Sequence, residues 1–281
     1  MYVNLLRINP ANEFYQVRGR PSAVLKVALE RGDFLQFKRR YDTIGCVSKR
    51  MGNKILGTFP LIAAAVSDSD LRLLRPADVK DIGLLELRVD MFKNLSEDYV
   101  IKVFNQAKQR FKKPLLCTIR VPSEGGKRHI DERRRRSLFE AITPLADILD
   151  IEIRSSLFPG IVRLGHAYKR PVIASYHNLE KTPADSFFLA MLNKARRASA
   201  DMTKLAVKAA TMNDVAHLLR FTMDHGKENL ITISLGTQGR ISRVVNPLFG
   251  SLITYGYIGQ PKADGQMHVR ELADQLSLYR S

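Results

Sequence analysis

From residue 61 onward, short runs of apolar, strand-forming residues alternate with segments in which apolar residues recur every three to four positions. The runs are close to continuously apolar, which is typical of strands in a parallel sheet that is covered on both faces. This pattern predicts eight strands, at 61–66, 82–88, 114–120, 147–153, 171–176, 202–207, 230–235 and 251–255.

The segments between these runs have the periodicity of amphipathic helices, and helices are predicted at 97–111, 131–143, 184–198, 212–224 and 269–278. Ser96 and Asn213 suit N-caps, and Pro183 suits a first helical turn. Successive strands lie roughly 20–32 residues apart, a spacing that fits repeated βα units.

Eight βα units predict an α/β protein, specifically a (β/α)₈ TIM barrel, in which functional groups gather at the carboxyl ends of the strands. The alternative is an open doubly wound sheet. That fold usually carries a glycine-rich phosphate loop after its first strand, and the sequence Ala65-Val66-Ser67-Asp68 is not such a loop. The barrel is therefore preferred.

Residues 1–54 have a different character and are predicted to be a basic N-terminal extension of the barrel domain, which would span residues 55–281. Short amphipathic helices are expected at 24–31 and 34–41, and a turn at 51–54. The extension holds 11 Lys/Arg and 4 Asp/Glu, a net charge of +7, out of +17 for the chain, so the remainder carries +10. Its sequence indicates no function.

The positive charge raises the question of a nucleic-acid partner. No zinc-finger, RNP1 or basic-zipper pattern accompanies it, and the run of arginines at 133–136 follows Asp131 and Glu132. Asp131 with Arg135 and Glu132 with Arg136 are i,i+4 pairs, which indicates a solvated helix face. A basic protein also attracts small anionic substrates, so we do not expect a nucleic-acid partner.

Two cysteines, Cys46 and Cys117, form neither a disulfide framework nor a metal-binding spacing. No apolar run approaches the ~20 residues that a membrane span requires, and the first residues lack the pattern of a secretory signal. We expect a cytoplasmic protein without a membrane segment.

Lys204 lies within an apolar run, residues 201–207, that is predicted to be a buried strand. Such a lysine can extend its amine to solvent from a strand end. Alternatively, burial disfavours its ammonium form, and the neutral amine can attack a carbonyl carbon to form a Schiff base. Taken alone, the lysine favours the first possibility, a residue at a strand end whose amine reaches solvent.

Polar residues collect at the ends of the predicted strands, as a barrel active site requires. The segments are Glu-Leu-Arg-Val-Asp at 86–90, Glu-Gly-Gly at 124–126, Asp-Ile-Glu-Ile at 150–153, Ser-Tyr-His-Asn at 175–178, Lys-Leu-Ala at 204–206, Ile-Ser-Arg at 241–243 and Gly-Gln at 265–266. In this order they resemble the motifs of type I 3-dehydroquinate dehydratases, over about residues 55–278.

The resemblance implies that the chain dehydrates 3-dehydroquinate to 3-dehydroshikimate, in the shikimate route to aromatic amino acids, without a metal or an organic cofactor. Lys204 would form an iminium with the ring ketone. His177 would move protons, for which a side chain with a pKa near neutrality is suited. Glu124 would orient His177. The resemblance also implies a homodimer.

Further residues of the family pattern would bind the substrate. Arg243 matches an arginine that holds the substrate carboxylate, and a guanidinium can do so with two hydrogen bonds. Glu86, Arg88 and Arg120 match residues that bind ring hydroxyls and organise the pocket. Gln266 matches a residue of the loop that closes over the substrate.

Two positions depart from the family pattern. Lys262 stands where the closing loop commonly has a serine, and it would either contact the substrate carboxylate or point into water. Ala65 stands where the first strand often has a substrate-contacting serine. Neither change affects Lys204, His177 or Glu124, but both put substrate affinity and loop closure in question.

Two alternatives from different classes stay open. One is a Schiff-base aldolase on the same barrel, which would also use a strand lysine. The other is a weakened barrel retained for binding an anionic partner such as RNA. Cys117, outside the motifs, is expected in the core, and Asp150 and Glu152 of the fourth-strand motif are expected to pair with arginines at least as much as to act in catalysis. The remaining histidines are expected to be surface or packing residues; they are His129, His166, His217, His225 and His268.

Overall fold

The computed structural model describes residues 49–51, 54–56, 60–261 and 263–279. Strands Lys49–Met51 and Lys54–Leu56 pair antiparallel. The other residues of the predicted N-terminal extension, 1–48, 52 and 53, lie outside the described residues. Its expected helices and its role are therefore not addressed by the structure.

Eight parallel strands form one curved sheet in the described part of the chain, and each of the first six strands pairs with the next along the sequence. They are Leu61–Val66, Leu84–Arg88, Leu115–Thr118, Ile148–Glu152, Val172–Asn178, Met202–Lys208, Leu230–Leu235 and Ile253–Gly256. The eighth strand pairs with the first, which brings the sheet round on itself.

The remaining gap, between the seventh and eighth strands, is bridged just before the eighth strand begins. The backbone N–H of Leu252 donates to the carbonyl of Leu230 over 2.8 Å, and the N–H of Thr232 donates to Ser251 Oγ over 3.0 Å. The sheet is thus a nearly closed barrel, and the predicted (β/α)₈ fold is confirmed.

Strand residues alternate between two separate apolar cores, as the pleat of a strand requires. One core fills the barrel and contains Ala63, Leu84, Ile173 and Ile253. The other lies between the outer face of the sheet and the helices, and it includes the fully buried Cys117, as expected. Burial on both faces explains why the strands are continuous apolar runs in the sequence.

Helices connect the strands on the outside of the barrel. They are Asp68–Leu73, Glu97–Phe111, Glu132–Ile142, Phe158–Ala167, Asp185–Arg197, Met212–His225, Ser242–Leu248 and Val269–Ser277. All five predicted helices are present. Among the helices described, none is both long and apolar enough to cross a membrane.

Helix starts agree only partly with the sequence prediction. Ser96 is the N-cap of its helix, as expected, but Asn213 is not. Thr211 is the cap instead, because its hydroxyl accepts from the N–H of Asp214 while the Asp214 carboxylate accepts from the N–H of Thr211. Pro183 precedes the N-cap of helix Asp185–Arg197 and so lies before the first turn.

Candidate active site

Lys204 is the third residue of the sixth strand, Met202–Lys208, and its side chain is only 4% exposed. Its Nζ lies 3.6 Å from Asp150 Oδ2 and 4.0 Å from the centroid of the Tyr255 ring. The amine therefore lies inside the barrel and does not extend into solvent, which removes the structural alternative considered for this lysine.

Burial lowers the pKa of Lys204, because the ammonium form loses its hydration. The carboxylates of Glu86 and Asp150 oppose this effect, and the guanidinium groups of Arg120 and Arg88 add to it. A lysine with a lowered pKa has more of its neutral, nucleophilic form near neutral pH than an exposed lysine has.

Asp150, on the fourth strand, is the carboxylate that faces this amine. Its Oδ1 accepts hydrogen bonds from Arg120 Nη2 over 2.7 Å and from Ser175 Oγ over 2.6 Å. Burial would raise the pKa of Asp150, but the charges of Arg120 and Lys204 outweigh burial and lower it. Asp150 therefore remains a negative charge beside Lys204.

His177 and Glu124 form a pair at the end of the fifth strand, Val172–Asn178. The ring Nδ1 of His177 lies 3.1 Å from Glu124 Oε2, and the same oxygen accepts the backbone N–H of His177 over 2.9 Å. Glu124 ends a short 3₁₀ turn after the third strand, and Gly125 follows it with φ of +88°. These two bonds fix the imidazole in one orientation, as the base–orienter pairing requires.

The pKa of each partner is displaced by burial. Burial lowers the pKa of His177 well below its usual value, and the positive charges of Arg120 and Lys204 lower it further. Burial raises the pKa of Glu124 to about 7, although Arg120 opposes the change. His177 is consequently neutral at physiological pH and able to accept a proton.

Arg120 and Arg135 share the carboxylate of Glu152 in a buried network. Arg120 Nη1 lies 3.1 Å from Glu152 Oε1, and Arg135 Nη2 lies 2.5 Å from Oε2 and 2.8 Å from the carbonyl of Ile119. The prediction that Arg135 lies on a solvated helix face is wrong, because it is only 2% exposed. The expected pairing of Glu152 with arginines is confirmed.

The second strand supplies Glu86, which is buried, and Arg88. Thr118 Oγ1 donates to Glu86 Oε1 over 2.8 Å. Arg88 makes two hydrogen bonds of 2.8 Å each to the carboxylate of Asp90, and a third of 3.1 Å to the carbonyl of Gly125. Arg88 thus connects the second strand to the turn that carries Glu124.

Arg243 is the second residue of helix Ser242–Leu248 and is only 3% exposed. Its Nε donates to the carbonyl of Gly265 over 2.9 Å, and within the described chain its two terminal nitrogens have no hydrogen-bond partner. Burial, with a contribution from Arg240, lowers its pKa to about 10, so Arg243 stays charged. Both terminal nitrogens can therefore donate hydrogen bonds to a bound carboxylate.

The loop after the eighth strand carries Gln266, whose Oε1 accepts the N–H of Ala263 over 3.2 Å. Lys262, for which a substrate contact was considered, lies outside the described residues. Ala65 is on the first strand and is in register with Glu86. Its methyl group cannot supply the hydrogen bond of a serine at that position.

The sequence did not assign Asp150 and Tyr255 to the neighbourhood of Lys204. Strand alternation does place both side chains inside the barrel, since Asp150 is two residues before Glu152 and Tyr255 follows two residues after the buried Ile253. Which inward side chains touch across the barrel depends on strand tilt and register, and no local pattern records these.

Glu124 also lines a cavity of about 520 Å³. It is bounded by the loop around residues 121–130 and by residues that follow the fourth strand, and neither Lys204 nor Arg243 lines it. This cavity is therefore not where a ketone would meet Lys204.

Several remaining histidines pair with surface carboxylates, as expected for residues outside the site. These pairs are His166 with Asp201 at 3.0 Å, His217 with Asp185 at 2.6 Å and His225 with Glu228 at 3.6 Å. Among the residues described, no three His, Cys, Asp or Glu side chains are grouped closely enough to hold a metal ion.

Comparison with known proteins gives a consistent result. The profile of the type I 3-dehydroquinase family matches residues 60–281. A 3-dehydroquinate dehydratase from Thermodesulfovibrio yellowstonii is 34% identical over 218 residues, which cover 78% of this chain and 95% of the relative. Another, from Hydrogenobaculum, is 37% identical over 194 residues, covering 69% and 87% respectively.

Solved structures agree with the sequence comparisons. The 3-dehydroquinate dehydratase of Geobacillus kaustophilus superimposes with a TM-score of 0.76 at 31% identity, covering 80% of this chain and 93% of that chain. The type I enzyme of Clostridium difficile, solved with covalently modified comenic acid, gives a TM-score of 0.75 at 28% identity, with coverage of 82% and 96%.

Proposed function

Because the chain belongs to the type I 3-dehydroquinase family, we propose that Lys204 is the residue that forms the Schiff base of its reaction. The reaction is the dehydration of 3-dehydroquinate to 3-dehydroshikimate in the shikimate pathway of aromatic amino acid biosynthesis, which makes the chain a hydro-lyase. The observation that carries the assignment of Lys204 is its buried amine between Asp150 and Tyr255.

The proposed first step is attack by the neutral Lys204 amine on the ring ketone carbon, followed by loss of water to give an iminium. The lowered pKa of Lys204 supports this step, because only the unprotonated amine attacks. The negative charge of Asp150, 3.6 Å from Nζ, supports the cation that forms.

In the second step, neutral His177 removes a proton from the carbon next to the iminium, and the electrons of that bond move into the iminium to give an enamine. The enamine then expels the ring hydroxyl, which leaves as water after taking the proton from His177. Water hydrolyses the product iminium and releases Lys204. Glu124 supports the role of His177 because it holds both the ring and the backbone N–H in place.

Substrate binding is proposed to rest on charge and hydrogen bonding at the barrel mouth. Arg243 would bind the substrate carboxylate with its terminal nitrogens, and Gln266, with Lys262, would close over it. Glu86, Arg88 and Arg120 would bind ring hydroxyls, although their charged ends also engage the neighbouring groups described above. For the latter three residues, organising the pocket is the role that the contacts support best.

Three further proposals rest on the sequence alone. Residues 55–281 would form the catalytic domain, with residues 1–54 as an extension. The chain would act as a homodimer, as the family resemblance implies, and in the cytoplasm, as its two cysteines suggest. Light scattering of the full-length chain would test the assembly. Activity assays of the full-length chain and of a variant that begins at residue 55 would test the domain boundary.

Lys204 is tested by reducing the imine with borohydride in the presence of 3-dehydroquinate and locating the adduct by peptide mass spectrometry. The adduct is expected on Lys204, and Lys204→Ala should abolish it together with the appearance of the conjugated enone product. His177→Ala should still form an adduct but turn over about 10²–10⁴-fold more slowly. An active wild-type chain without an adduct on Lys204 would overturn the proposal.

A further inference from the structure

Tyr255 is a buried aromatic residue of the barrel interior to which the reaction described above gives no role. It lies on the eighth strand, Ile253–Gly256, in register with Ala63. The residue is 8% exposed, and Lys204 Nζ lies 4.0 Å from its ring centroid.

The hydroxyl group of Tyr255 is the unusual part of this arrangement. Its oxygen is fully buried and has no hydrogen-bond partner among the residues that the structure describes. A buried hydroxyl that makes no hydrogen bond destabilises the folded protein, so such groups are rare outside functional sites. The same ring without a hydroxyl would fill the barrel equally well.

The surroundings of this hydroxyl keep it protonated. Burial raises the pKa of Tyr255 well above its usual value, and the carboxylates of Glu86 and Asp150 raise it further. A protonated phenol is a hydrogen-bond donor that can meet an oxygen of a molecule bound at Lys204.

We propose that Tyr255 is a further substrate-binding residue, whose hydroxyl donates a hydrogen bond to a hydroxyl oxygen on the ring of a polyhydroxylated cyclic keto acid bound at Lys204. The face of the Tyr255 ring lies against the nitrogen of Lys204, where it favours a cation in both the ammonium and the iminium form. This inference rests on the proposed role of Lys204 and adds a contact that selects for a hydroxylated substrate.

The decisive variant is Tyr255→Phe, which keeps the ring and removes only the hydroxyl. The KM for 3-dehydroquinate should rise by roughly three- to tenfold, the worth of one neutral hydrogen bond, while kcat stays within about twofold. The Tm of the unliganded variant should equal or exceed that of the wild type, because a buried hydroxyl without a partner is gone. Reducing the substrate ketone gives an alcohol that cannot form an imine. The Tm increase caused by this alcohol should be smaller in Tyr255→Phe than in the wild type.

Tyr257→Phe is the matched control, since Tyr257 is on the same segment but packs edge-on against His268 with a ring separation of 5.3 Å. Its KM and the ligand-induced Tm increase should match the wild type. Tyr255→Leu removes the ring as well, so the pH at which borohydride trapping reaches half its maximum should fall, because the ammonium of Lys204 loses support.

The outcomes separate this inference from the function on which it rests. Wild-type turnover with an unchanged KM in Tyr255→Phe would overturn the role of the hydroxyl and leave the Schiff base intact. A lower Tm with an unchanged KM would assign Tyr255 to packing and overturn it as well. An inactive wild type that forms no adduct would instead reject the proposed function.

Discussion

Lys204 Nζ lies 3.6 Å from one oxygen of Asp150, while the other oxygen of that carboxylate accepts hydrogen bonds from Arg120 and Ser175. The carboxylate is thus held in place through one oxygen and presents the other to the amine. Because Asp150 stays ionised, it can balance the positive charge of Lys204 before the imine forms and that of the iminium afterwards.

Asp150→Asn should therefore alter both the chemistry and the stability of the protein. Without the negative charge, the pKa of Lys204 should fall further, and the acidic limb of the pH–rate profile should move to lower pH. The value of kcat should fall by about 10²-fold, since the iminium loses its counter-charge. The free energy of unfolding should fall by about 3 kcal/mol, because Arg120 loses a buried partner.

Steady-state kinetics across pH and urea denaturation would measure these changes. An acidic limb that did not move would contradict the electrostatic role of Asp150. A loss of stability alone would leave Asp150 as a structural partner of Arg120.

Glu124→Gln should remove a pH dependence of stability. The pKa of Glu124 is raised to about 7 in the folded protein, so the folded state favours the protonated carboxyl. Its stabilising contribution is present below the pKa of the unfolded chain, about 4.3, and is lost as pH rises through 7. Relative to the wild type, Glu124→Gln should become more stable between pH 5 and 8, by up to about 3 kcal/mol.

His177 acts on stability in the opposite direction over part of this range. Its lowered pKa keeps it neutral when folded, so stability falls as pH drops below about 6.5, where the unfolded histidine binds a proton. The wild type and Glu124→Gln share this effect of His177. The difference between their free energies of unfolding therefore reports the contribution of Glu124 alone. A difference that stays constant from pH 5 to 8 would show that Glu124 does not titrate in that range.

Arg135→Met should destabilise the protein by about 3–5 kcal/mol, since it leaves Glu152 with one fewer cation in a buried site. Arg136→Met is the matched control on the same helix, and the exposed position of Arg136 predicts a change within about 0.5 kcal/mol. Guanidinium denaturation of both variants provides the comparison. Equal effects of the two substitutions would contradict the buried role of Arg135 and would support the solvated helix face that the sequence predicts.

Arg243→Lys should raise the KM for 3-dehydroquinate by about 10- to 100-fold with a smaller effect on kcat, because a lysine cannot replace the paired hydrogen bonds to a carboxylate. Arg240→Lys is the control. Arg240 is half exposed and pairs with Glu271 at 2.8 Å, so its KM should stay close to that of the wild type. A KM in Arg243→Lys equal to that of the control would exclude Arg243 as the carboxylate site.

The strands were predictable because burial on both faces leaves a continuous apolar run, which has few other structural explanations. The helix Phe158–Ala167 was not predicted, since Pro159, Gly160 and Gly165 obscure its periodicity. The helix Ser242–Leu248 was missed for a similar reason, because Pro247 lies within it. Tertiary packing overrides the weak intrinsic propensity of both segments.

The burial of Arg135 does have a signal in the sequence. It shares a helix face with Leu138, Phe139 and Ile142, at spacings of three, four and seven residues, all of which are buried. The run of arginines at 133–136, with acidic i,i+4 partners, predicts a solvated face instead, so the two patterns conflict on this helix. That Glu152 lies opposite depends on contacts between distant segments, which helical spacing does not encode.

The bond between Arg243 Nε and the carbonyl of Gly265 connects the anion-binding group to the loop above it. Gly265 has φ of +74°, and a Cβ there would approach the Gly236 carbonyl oxygen to 2.0 Å, so the loop has little freedom to rearrange around this bond. Because an anion held by Arg243 also limits the motion of its Nε, occupancy should slow amide hydrogen exchange in residues 263–268. Ligand departure and opening of this loop would then be one kinetic event, and a ligand without a carboxylate would leave the exchange rate unchanged.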